Sequence, residues 1–256
     1  HYKHLFKVRS EEEFKTDLDF LCQHFEPLTL ERAIKYDGTK PAFHLSFDDG
    51  FSECYDVIAP ILLERKIPAT FFLNPAFLDN RQIMHRCLAS LMIERIPARR
   101  QEWLSYRFTD RDRLMELAQS EGVEIEEYLM NQSPYLSIDE AKKLAKMGFS
   151  IGSHSIDHPE FPLVSEEEQV RQIRESQSLL EVMLDIEIPV FAFPFEDLDV
   201  DPNLFLLLAH HYEASFGTSG IKQDPRPHHF QRLDMEKAVY GGPELIEASY
   251  FFNWLR

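Results

Sequence analysis

Short apolar runs alternate along this chain with longer stretches whose apolar residues recur every three or four positions. The short runs fit strands buried in a sheet, and the wider spacing fits amphipathic helices. Such alternation predicts a mainly parallel α/β fold. A first helix starts at Ser10, where Glu13 completes a capping box, and Phe14, Leu18, Leu21, Cys22 and Phe25 share one face. A strand over 42–47 ends in Asp48-Asp49-Gly50, and a helix over 57–65 tolerates Pro60 only in its first turn. The aromatic-rich stretch 69–73 reads as a strand.

The rhythm changes over about 80–130, where Ile83, Cys87, Leu88 and Leu91, then Leu114, Leu117 and Ala118, recur at helical spacing. About fifty residues would only just form a core alone, so this stretch reads as a helical insertion packed on one catalytic domain spanning 1–256. Strands and helices then resume. Ser137 and Glu140 form a capping box for a helix ending near Gly148, and a strand over 149–153 leads into His154. Ser165 with Glu168 opens a long helix through Leu184. Strands over 188–193 and 212–218 flank a helix over 203–211, and Pro243 suits the first turn of a last helix.

With 256 residues and 44% hydrophobic content, the chain can bury one sizeable core. Its net charge of −17 excludes a nucleic-acid surface, which needs basic patches that release counterions. Arg95, Arg99 and Arg100 are interrupted by Glu94 and Glu102 and read as a solvated helix surface. No apolar run approaches the roughly twenty residues of a membrane span. The chain opens at His1 without a Met or a visible secretory signal, and Cys22, Cys54 and Cys87 are scattered. These features give the expectation of reduced thiols in a cytoplasmic protein, with Cys22 and Cys87 in core packing.

Two sites fall at the C-terminal ends of predicted strands, where parallel α/β folds assemble their chemistry. In Ser46-Phe47-Asp48-Asp49-Gly50, adjacent carboxylates repel unless something cationic shares them. A metal resolves this, with one carboxylate binding it and the other left as a base. Taken alone, the same residues are an Asp-Gly turn capping the next helix. In His154-Ser155-Ile156-Asp157-His158-Pro159, the preceding strand and the proline place two imidazoles on a loop. Asp157 or Ser155 is positioned to orient the rings. Together, one carboxylate and two imidazoles make the three-ligand set of a hydrolytic metal site.

Those two segments resemble the first and second motifs of the polysaccharide deacetylase family, Thr-Phe-Asp-Asp-Gly and His-(Ser/Thr)-x-x-His-Pro. The resemblance covers about 42–73 and 136–234, and implies a distorted (β/α)7 barrel with a bound divalent metal. Zinc is the expected ion, with cobalt, manganese and nickel as alternatives. It implies further that Asp49, His154 and His158 bind the metal and that Asp48 is the base deprotonating the attacking water. The third motif departs from the family: Ala192-Phe193-Pro194-Phe195 lacks the usual arginine. Arg232, before what reads as a final barrel strand, is the candidate replacement to steady the base. The fourth motif, an Asp beside a Trp, and the fifth, Leu-x-His, find no clear match. His228, next to His229, is the candidate general acid, although spacing does not choose between the two. His44 is expected to face away, and Glu196, Asp197 and Asp199 read as a solvated acidic loop.

The function so implied is removal of an acetyl group from an N-acetylated sugar or glycan precursor. Hydrolysis of an O-acetyl ester, a formamide or another C–N amide on the same fold is the first alternative. A non-catalytic carbohydrate-binding protein is the second, opposed by retention of Asp48 beside a complete metal triad.

Overall fold

A computed structural model of the chain describes residues 9–237 and 241–254. Helix α1 (Glu11–His24) has the predicted box: Glu13 N donates to Ser10 Oγ at 3.1 Å, and Ser10 N donates to Glu13 Oε2 at 2.8 Å. Strands β1 (Glu26–Pro27) and β2 (Ala42–Phe43) pair in parallel across α2 (Leu30–Ile34). The single strand predicted over 42–47 is split at His44 from β3 (Leu45–Phe47). The His44 ring lies 2.8 Å from both Leu28 O and Thr70 Oγ1, so it ties chain to chain and faces away from the strand end.

A π-helical turn leads into α3 (Ala59–Arg65), with Pro60 in the first turn as its missing N–H requires. Strand β4 (Ala69–Leu73) follows. Helices α4 (His85–Arg95), α5 (Arg100–Ser105), α6 (Arg111–Ser120) and α7 (Ile125–Gln132) make up the predicted helical stretch. Then come α8 (Ile138–Lys146), β5 (Ser150–Ser153), α9 (Glu166–Leu184), β6 (Val190–Ala192), α10 (Pro202–His211), β7 (Ala214–Gly217), β8 (His229–Gln231) and α11 (Gly242–Trp254). The main sheet runs β3-β4-β5-β6-β7-β8, parallel throughout. This is the (β/α) barrel architecture, curled into a half-barrel with six strands among the described residues rather than seven.

Apolar side chains of β4 and β6 are buried on both faces of the sheet, which explains why those strands read as short apolar runs. Phe71, Leu73, Ile151 and Phe191 pack outward against Leu62, Leu144, Ile173 and Leu180 of the helices. Phe72, Val190, Ala192 and Phe216 pack inward. Gly152 is required here, because a Cβ would sit 2.4 Å from the Phe72 ring. The insertion has its own apolar centre around Trp103, Met92 and Leu114, and Arg99 stacks 4.2 Å above Trp103. Cys87 and Cys54 are buried, but Cys22 is exposed, contrary to the core role expected for it. It falls at the edge of the α1 stripe, beside Asp19 and Arg65.

Strands β3 and β8 are the two edges of the sheet. A cavity of about 680 Å³ lies against both, lined by Ser46, Thr70, Phe72, Phe216 and Arg232 among others.

Candidate metal centre

Asp48 and Asp49 follow β3 in a turn that breaks strand alternation. Asp49 (φ 70°) and Gly50 (φ 67°) are both left-handed, and Gly50 N donates to Asp48 O at 2.9 Å. Successive side chains of an extended strand point to opposite faces. The left-handed kink instead turns both carboxylates toward His154, with Asp48 Oδ2 at 3.8 Å and Asp49 Oδ1 at 3.4 Å from its Nε2. Leu136 N donates to Gly50 O, and Phe51 stacks on Tyr135 at 5.4 Å, pinning the turn from outside.

His154 and His158 lie on the loop after β5, as the strand and proline predicted. His158 Nε2 is 3.2 Å from Asp49 Oδ1. One ligand atom each from Asp49, His154 and His158 falls within 4.8 Å of the others. The His154 Nδ1 lies 2.9 Å from Ala192 O, which can only accept; Nδ1 therefore carries the proton and Nε2 keeps its lone pair toward Asp49. Burial lowers the pKa of His154, which favours the neutral ligand form. Two neutral-capable imidazoles and a carboxylate suit zinc and its neighbours, so the residues present fit a divalent cation.

The loop owes its shape to groups distant in sequence. Ser155 (φ 66°) and His158 (φ 64°) are left-handed, a conformation that costs energy in non-glycine residues. Asn74, at the end of β4, donates to the backbone oxygens of His154 and Ser155. Ser155 Oγ accepts from His158 N at 3.1 Å, so it shapes the backbone of the loop. Asp157 pairs with Arg111 at 2.6 Å and accepts from Gln172 at 2.6 Å. Neither Ser155 nor Asp157 touches an imidazole nitrogen through these bonds, in contrast to the ring-orienting role expected.

Arg232 follows β8 rather than preceding a strand. Its Nη1 donates to Asp48 Oδ1 at 2.7 Å and to Ser46 Oγ at 2.9 Å, and its Nη2 donates to Asp48 Oδ2 at 2.9 Å. Burial alone would raise the Asp48 pKa, but Arg232 and then His154 outweigh it and hold the carboxyl below its ordinary range. The structure does not bring His228 to this cluster. It precedes β8, at the opposite end of the strand from Arg232, and is exposed. Four residues of extended chain, about 13 Å, separate the two positions.

Its neighbour His229 is buried between Ser215 Oγ (2.8 Å) and Asp197 Oδ2 (3.1 Å). Asp197 is therefore not part of a solvated loop: it is 3% exposed, also accepts from Gln231, and lies over Gly217 where a Cβ would collide with it. Glu196 and Asp199 are exposed as expected. Phe195, from the third motif, packs edge-on to His158 at 4.6 Å. Sequence reasoning also missed His85, the buried first residue of α4, whose ring lies 6.5 Å from that of His158. One signal was available for Asn74, a polar residue directly after the apolar run Phe71-Phe72-Leu73. None was available for His85.

The polysaccharide deacetylase family model matches residues 35–208, and the chain belongs to that family. No curated protein sequence matches it. Among solved structures, the chain is similar to the Streptococcus pyogenes deacetylase PplD in complex with acetate. That match has 15% identity and TM-score 0.62, covering 93% of this chain and 86% of that one. It is also similar to IcaB from Ammonifex degensii, with 16% identity, TM-score 0.63, and coverage of 94% and 89%. A de-N-acetylase from Aggregatibacter actinomycetemcomitans matches at 14% identity and TM-score 0.61, covering 95% and 93%. These likenesses establish the shared fold.

Proposed function

We propose that this chain is a divalent-cation-dependent hydrolase that removes the acetyl group from the nitrogen of an acetamido sugar. The observation that carries the reading is the convergence of Asp49, His154 and His158 beside an Asp48 already gripped by Arg232. Asp49 Oδ1 and the two Nε2 atoms would hold the cation, and zinc suits that donor set best. When bound, such a cation polarises an acyl carbonyl and lowers the pKa of water.

Asp48 stays ionised because Arg232 neutralises it, and so accepts the proton of the attacking water. Arg232 takes the place of the arginine missing from the third motif: a two-pronged guanidinium bond fixes both carboxylate oxygens. With His228 at the far end of β8, the proton gained by Asp48 is the one available to the leaving nitrogen. Phe195 offers an apolar wall beside His158 against which an acetyl methyl can rest.

Metal content of the purified protein, wild type beside His154→Ala, tests this reading together with hydrolysis of an acetamido-sugar panel. We expect about one equivalent of metal in wild type, lost in the variant, and hydrolysis abolished by a strong chelator. Absence of metal in both, even after reconstitution with zinc, cobalt or manganese, would leave a carbohydrate-binding protein as the better reading. Acetyl esters and formylated amino sugars in the same panel separate the other bond types.

A further inference from the structure

The two histidines of the centre are held differently. His154 has a backbone carbonyl on its Nδ1, whereas the His158 Nδ1 is buried with no hydrogen-bond partner among the described residues. A ligand imidazole without a partner on its outer nitrogen has neither tautomer nor ring angle fixed.

The group next to it comes from the helical insertion. His85 is 4% exposed, and its ring packs among His158, Phe195 (6.1 Å) and Phe108 (5.9 Å). Neither of its nitrogens has a hydrogen-bond partner among the described residues, which is costly for a buried imidazole. Beyond it, Glu160 Oε1 lies 3.9 Å from His85 Nε2 and is likewise buried without a hydrogen bond among the described residues. Three polar groups thus lie in sequence, the two rings 6.5 Å apart between centroids and the carboxylate 3.9 Å beyond the second. The far end is anchored: Phe108 N donates to Glu160 Oε2 at 2.9 Å, and Arg107 Nη1 lies 3.6 Å from Oε1.

We propose that His85 is a positioning residue that links the His158 Nδ1 to Glu160 and so sets His158 to bind metal through Nε2. The inference rests on the reading that Asp49, His154 and His158 hold a cation. Its polarity follows from the end group. Ionised Glu160 can only accept, so His85 donates Nε2–H to it. A neutral His85 then has a lone pair on Nδ1, which accepts from His158 Nδ1–H and leaves the His158 Nε2 lone pair for metal. The helical insertion therefore builds the metal centre as well as covering it.

This polarity makes Glu160→Gln a sharper test than its small change in shape suggests. The amide oxygen must stay where Phe108 N donates, so the NH₂ faces His85 and reverses the chain. His85 would then donate toward His158 Nδ1 and favour a proton on His158 Nε2, which blocks it as a ligand. Zinc affinity of the full chain, measured by competition with a chromophoric chelator, reads the effect without reference to activity. Glu160→Gln and His85→Phe should each weaken zinc binding about 10- to 100-fold, with the melting temperature of the metal-free protein unchanged. His85→Gln, which can both donate and accept, should recover most of the loss. Wild-type zinc affinity in Glu160→Gln would overturn the inference, whatever the folding of His85→Phe. Should wild type bind no zinc at all, the metal-centre reading falls and this inference with it; binding unchanged across the variants removes the inference alone.

Discussion

Two nitrogens of Arg232 grip the two oxygens of Asp48, and that contact favours the ionised carboxylate. Asp48→Asn should lower kcat/KM for an acetamido sugar by about 10²- to 10⁴-fold, the usual worth of a general base. Arg232→Met leaves the carboxylate without its counter-charge, so its pKa rises and the acid limb of the pH–rate profile moves to higher pH. An Arg232→Met profile superimposable on wild type would refute this role. Asp48, Asp49, His154 and His158 were legible in the sequence because each pair lies in one short segment with a strand before it. Arg232 was legible only as a candidate: its partner is 184 positions away, and a sequence does not show which end of the last strand faces the centre. The same ambiguity misplaced His228, which sits before β8 where Arg232 sits after it.

At the scale of elements, the local rules held where local groups decide. Ser10 and Ser137 form reciprocal boxes with Glu13 and Glu140. Ser165 caps α9 at Glu168 N, but the Glu168 side chain is taken by Arg171 and Gln172 instead of closing a box. Helical spacing was enough to find these helices, since α4 and α6 bury Leu88, Met92, Leu114 and Ala118. What it could not show is that this insertion clasps the loop carrying His158, through Arg111 on Asp157 and Phe108 on Glu160. Nor could it show the split at His44, which is made by partners 16 and 26 residues away. The tight pairing of Gly152 with Phe72 is open to direct test. Gly152→Ala forces the ring out of the barrel interior and should cost about 1–3 kcal/mol, read as a lowered urea midpoint. An unchanged midpoint would mean that Phe72 has room to move.

For the whole molecule, the notable feature is where the sheet ends. Hydrogen bonds run without interruption from β3 to β8, and those two edges are joined across the opening by Arg232 on Ser46 and Asp48. The folded-state pKa of Asp48 is depressed, so its contribution to stability is complete above the unfolded value of about 4 and is lost as pH falls through the folded one. Urea midpoints of wild type and Asp48→Asn should therefore converge as pH is lowered from 7 to 3. A constant gap between them would argue that the ion pair does not hold the edges. On the proposed reading, one carboxylate would serve as both proton acceptor and clasp. Acid that protonates Asp48 would take the charge from this contact, so activity lost in acid should return on neutralisation no faster than the pair re-forms. The protein would carry a short memory of its last acid exposure.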